Sequence, residues 1–182
     1  CLTVLSKKYF YSRKAKENQG LIVVGGIAMA IRNIRYFDDP ILRKRCKEVK
    51  FVNDKIRQIL DDMLDTLQQT ENGAAIAANQ VGILKRLVVI DYNNCFLKLV
   101  NPIIIGCSGV QECNEACLSF PNRCVKTIRP QKVTLQAQNE NGEEIIITGE
   151  NELAQCFCHE IEHLDGEIFL DKAIAEIELN KT

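Results

Sequence analysis

Apolar side chains recur over residues 53–70 at the spacing of a helix face. Ile56, Ile59, Leu60, Met63, Leu64 and Leu67 form one stripe. Asn53 suits the N-cap of this helix, and Gly73 lies just beyond its end. Two runs rich in β-branched residues follow, "LKRLVVID" over 84–91 and "FLKLVNPIII" over 96–105, and both predict strands. Val133, Leu135 and Ala137 alternate with polar residues. Asn141-Gly142 then marks a hairpin turn into "IIIT". Over 151–164 the period returns to that of a helix, with Leu153, Phe157, Ile161 and Leu164 on one side and Gly166 as the stop. A last short helix is expected over 171–179. The layout is α+β: a mostly antiparallel sheet packed around a central helix.

Between the first helix and the first strand lies "NGAAIAANQVG", Asn72 to Gly82. Its small residues let another backbone, or a ligand, come close, and Gln80 is a polar side chain left among them.

A chain of 182 residues with ordinary apolar content fits one domain with a sizeable core. The net charge of -1, with acids and bases mixed along the chain, argues against nucleic acid or an anionic membrane as the main partner. Nine cysteines, an odd number without paired Cys-x-x-Cys spacing, suggest reduced and mostly buried thiols in a reducing cytoplasm. The N-terminal stretch differs from the rest. Lys7, Lys8, Arg13, Lys14 and Lys16 face one acid, Glu17, and the apolar run "LIVVGGIAMAI" after them is too short to span a bilayer. Met29 opens what reads as a natural domain start. Residues 1–28 are therefore expected to be a leader or upstream extension, and 29–182 a single domain. A cytoplasmic bacterial location is expected, with an organelle transit role for 1–28 as the alternative.

Both histidines of the chain fall in "HEIEH", His159-Glu160-x-x-His163. On a helix, residues four apart sit one above the other, so two imidazoles can grip one metal ion. Glu160, turned about 100° from His159, can reach a water held there. A catalytic metal site needs a third protein ligand and one open position. Phe169 stands where a third histidine would follow, and no other histidine exists. Glu176 and Glu178 are downstream acids on a short terminal segment. Cys156 and Cys158 lie too near the motif to complete the geometry easily. Cys117, in "NEACLSFP", can supply a thiolate.

These segments together resemble the peptide deformylase family. Its three motifs stand here in order as Gly73-Ala74-Ala75-Ile76-Ala77-Ala78-Asn79-Gln80, Glu115-Ala116-Cys117-Leu118-Ser119, and His159 to His163. The resemblance runs from about Ala30 to Ala173, including "DDPILRKRC" and "HLDGEIFLD". It implies a histidine helix packed against the sheet, with Cys117, His159 and His163 holding one divalent metal ion. That ion is typically Fe2+, and Ni2+, Co2+ or Zn2+ can replace it. It also implies removal of the formyl group from N-formyl-methionyl nascent peptides, with transient proximity to the ribosome and no specific nucleic acid or membrane partner. Glu160 would be the general base and acid. The Gln80 side chain and the Leu118 backbone N–H would steady the oxyanion. Gly73, Ala74, Ala75, Glu115, Ala116 and Cys156 are expected around the substrate.

The sequence departs from the family at four places. Ala75 replaces the second glycine of the first motif, and Ala116 the glycine before the cysteine. Cys158 stands where many members have glutamine, and Glu162 where aspartate is usual. If either alanine position required positive φ, the strain would be about 1 kcal/mol or more. The two alanines motivate one alternative, an idle paralogue that binds peptide N-termini. A zincin-type peptidase with a downstream acidic ligand is another.

Overall fold

Strand β2, Leu87–Tyr92, shows why the fold takes its layered form. Successive side chains of a strand point to opposite faces. Leu87 and Val89 join the apolar cluster built on helix α1, Asp54–Gln68. Val88 and Ile90 join the cluster built on helix α2, Glu152–Asp165. The strand is buried on both faces, so its sequence is an unbroken apolar run rather than an alternation. The computed structural model describes residues 31–178. The predicted leader over 1–28 lies outside the described residues.

Five antiparallel strands form the sheet between the two helices, in the order β1, β2, β3, β6, β7. β1 is Ala75–Ala77, β3 Cys95–Ser108, β6 Lys132–Gln138 and β7 Glu144–Glu150. A second antiparallel sheet has the order β4, β5, β8, with β4 Gln111–Cys117, β5 Phe120–Arg129 and β8 Ala175–Glu176. Its core of Leu42, Phe120, Val125, Ile168 and Phe169 backs onto the histidine helix. β1 and β4 are edge strands of their respective sheets.

The expected N-cap is present: the Asn53 side chain accepts from Ile56 N–H at 3.1 Å. The Asn141-Gly142 hairpin is present as well. Its loop is organised by Asn139, whose side-chain oxygen accepts from the backbone N–H groups of Asn141 and Glu143. The expected terminal helix over 171–179 is not found in the described part. Phe169–Lys172 forms one 3-10 turn, and the chain then pairs with β5 as β8. Backbone partners decide this: Ile174 N–H donates to Lys126 and Ile177 N–H to Cys124, which fills the open edge of β5.

Gly166 ends α2 in the left-handed conformation, at φ +80, and a Cβ there would lie 2.6 Å from the Arg43 carbonyl oxygen. Gly166→Ala combines backbone strain with a backbone clash. It is expected to lower stability by about 2–4 kcal/mol, measured by urea or thermal unfolding.

Candidate active site

Strand alternation and helix period bring the side chains of Cys117, His159 and His163 together. Cys117 ends β4, where the two residues Leu118 and Ser119 turn the chain into β5 at Phe120. His159 and His163 lie one turn apart on α2, with ring centroids 4.9 Å apart. The Cys117, His159 and His163 donor atoms all lie within 4.8 Å of one another. Cys117 Sγ is 3.2 Å from His163 Nε2. One soft thiolate and two imidazoles at this spacing fit a divalent transition metal.

Neighbours fix the orientation of these side chains. His159 Nδ1 lies 3.0 Å from Glu115 Oε2, which leaves its other ring nitrogen for the metal side. Glu115 is fully buried and also receives hydrogen bonds from Thr127 and Arg129. Burial alone would raise its pKa. Hydrogen bonds from His159 and Arg129 more than offset this and hold it at about 2. Arg129 continues to Glu162, one turn along α2 from His159, at 2.8 Å. The unusual Glu162 is therefore a buttress of the same network. Phe169, in the slot of a further histidine, packs its ring 5.6 Å from that of His159. From the other side, Asn79 Nδ2 donates to the His163 carbonyl at 2.6 Å.

A cleft of 470 Å³ opens beside these donors, with Cys117 and His159 in its lining. Glu160 reaches it from α2, with its Oε2 buried and without a hydrogen-bond partner among the described residues. Burial pushes the Glu160 carboxyl up to about 7. A cation at the adjacent donors would pull it back towards the carboxylate, the form a base needs. Gln80 is held at both ends. Its oxygen accepts from Ala77 N–H at 2.8 Å, and its Nε2 lies 3.1 Å from Ser119 Oγ and 3.4 Å from Cys117 Sγ.

Most of the expected lining residues meet in this cleft: Gly73, Ala74 and Ala75 from the β1 side, Ala116 and Leu118 from the β4 side, and Cys156 from α2. Glu115 does not line it. Alternation along β4 turns Ala116 to the cleft and Glu115 into the Arg129 network behind His159. The downstream acid Glu176 is likewise elsewhere, exposed on β8 and paired with Arg123. Neither Ala75 nor Ala116 has positive φ, so neither methyl strains the backbone. Gly73 has a packing reason: a Cβ there would meet Thr70 Oγ1 at 2.2 Å. Sequence reasoning missed Arg129 and Asn79. Asn79 sits inside the small-residue motif, and being a polar side chain there was its only signal.

A Cys-His-His donor set beside a buried carboxylate, at the floor of a cleft between two sheet edges, is the make-up of a metal-dependent hydrolase. Comparison with known proteins narrows the class. Residues 31–178 match the polypeptide deformylase family. The chain is 64% identical over 143 residues to peptide deformylase 2 of Clostridium acetobutylicum, covering 79% of this chain and 95% of that one. It is 47% identical over 146 residues to the peptide deformylase of Caldicellulosiruptor bescii, covering 80% and 87%. Among solved structures, the Legionella pneumophila peptide deformylase superposes with TM-score 0.76 at 38% identity, covering 79% of this chain and 86% of that one. The Synechococcus elongatus peptide deformylase in complex with actinonin gives TM-score 0.76 at 33% identity, covering 87% of each chain. The chain belongs to the polypeptide deformylase family, whose members depend on a metal.

Proposed function

We propose that this chain hydrolyses the formyl group from the N-formyl-methionyl ends of newly made polypeptides, releasing formate and a free amine. The observation that carries the reading is the convergence of Cys117, His159 and His163 within 4.8 Å, with Glu160 in the adjoining cleft. Cys117, His159 and His163 would hold a divalent cation, which we assign as Fe2+, and when bound it would supply the Lewis acidity that polarises the formyl carbonyl and acidifies water. Glu160 Oε2 takes the proton of the water that adds to the formyl carbon. The C–N bond then breaks, and Glu160 returns that proton to the departing amine nitrogen. The Gln80 amide and the Leu118 backbone N–H face the developing oxyanion. The edges of β1 and β4 flank the cleft, and their backbones suit an extended peptide lying between them.

Among the described residues no helix is long and apolar enough to cross a membrane, and the cysteines described are free thiols. Free thiols support work in the reducing cytoplasm, close to ribosomes where formylated chains emerge. We take residues 1–28 as a leader or upstream extension that the catalytic domain does not need.

Incubation with formyl-Met-Ala-Ser, with casein alongside, tests the reading. Formate and intact casein are expected. Casein cleavage without formate would mean an endopeptidase instead.

The two alanines give a further expectation. Their methyls face the cleft from the edges of different sheets, so Ala75→Gly with Ala116→Gly should change KM and peptide preference more than kcat. Stability should fall slightly, because φ is ordinary at both positions and glycine loosens the unfolded chain. Kinetics on a series of formyl-methionyl peptides, with thermal melts, check both statements. Unchanged kinetics on every peptide would leave the methyls without a role in the cleft.

A further inference from the structure

One face of α2 runs the length of the cleft. His159 and Glu160 mark its metal end, and Glu152 lines it two turns earlier, roughly 10 Å away at 1.5 Å per residue. The Tyr92 hydroxyl, at the end of β2, donates to Glu152 Oε2, and both side chains line the cleft. This hydrogen bond tethers the carboxylate across the outer end. Burial and the neighbouring Glu152 push the Tyr92 hydroxyl up to about 12, so it stays a donor. Glu152 is exposed, and its carboxylate accepts from Tyr92. Among the described residues no lysine or arginine lines the cleft. The cleft therefore carries a negative charge at its outer end, with no lysine or arginine among the described residues lining it to answer that charge.

An extended peptide advances about 3.3 Å per residue, so roughly 10 Å from the reacting end corresponds to the second or third residue. We propose that Glu152 is a specificity-determining residue that favours substrates with a lysine or arginine at the second or third position. The proposal rests on the deformylase reading for the identity of the substrate. It adds a charge preference at a defined side chain, with Tyr92 as the residue that aims it. Because Glu152 is exposed, the attraction is modest and sensitive to salt.

The test compares formyl-Met-Lys-Ser and formyl-Met-Ala-Lys with the matching glutamyl peptides on the native enzyme and on Glu152→Gln. Attraction of one peptide and repulsion of the other together predict a kcat/KM ratio of about tenfold in favour of lysine at low salt, at one position or both. The ratio should shrink between about 0.02 and 0.5 M salt and approach unity in Glu152→Gln. Affinities of the acetyl-methionyl counterparts, which need no turnover, should show the same preference and the same loss. Absent formate from every peptide would count against the deformylase reading, while the affinity ratios would still decide the role of Glu152. Ratios near unity in the native protein, or a lysine preference that survives Glu152→Gln, would overturn the proposal.

Discussion

Replacing Cys117 by serine is expected to leave the protein folded but without its metal and without turnover. Cys117 closes a donor set whose atoms lie within 4.8 Å, and His163 Nε2 and Gln80 Nε2 both approach its sulfur. A neutral hydroxyl is a much poorer ligand than a thiolate for a late transition metal, and two imidazoles alone do not make a retentive site. The fold should survive because the side chain ends a hairpin and is only partly buried. The mutant should purify with little metal, and formate release should fall to background. Metal content near one per chain with a normal rate would remove Cys117 from the ligand set.

Glu160→Ala should have the complementary outcome: metal stays and the rate goes. Glu160 lines the cleft with a buried oxygen that has no hydrogen-bond partner among the described residues, whereas the three donors face one another without it. Loss of a general acid–base typically costs 10²–10⁴-fold in rate. Glu160→Gln, which keeps the shape but cannot accept the proton, should lose nearly as much. Parallel loss of metal and activity in either variant would make Glu160 a ligand rather than a base. The contrast with Cys117→Ser separates holding the ion from moving the proton.

The helices were legible because each carries its own period and its own caps: Asn53 before α1 and Gly166 after α2 are visible without any tertiary context. The donor triad was legible through motif order, since nothing local to Cys117 reveals that a β4–β5 turn delivers it to α2. β4 and β5 were not read as strands, and the C-terminal segment was read as a helix. In both cases tertiary pairing decides. β8 exists because β5 offers it an edge. Glu115 was expected beside the substrate because it neighbours Cys117 in sequence. One step of alternation put it behind His159 instead, in contact with Arg129 from β5. Such partners come from distant segments, and a single sequence does not show which polar residues will share a buried network.

The most direct test of the account follows formate release from formyl-Met-Ala-Ser while Fe2+ is added back, without oxygen, to chelator-stripped protein. The account predicts a rate that rises in proportion to bound metal and levels off at about one ion per chain, as a single three-ligand site with one open position requires. Full activity in the stripped protein, or none at full loading, would contradict it.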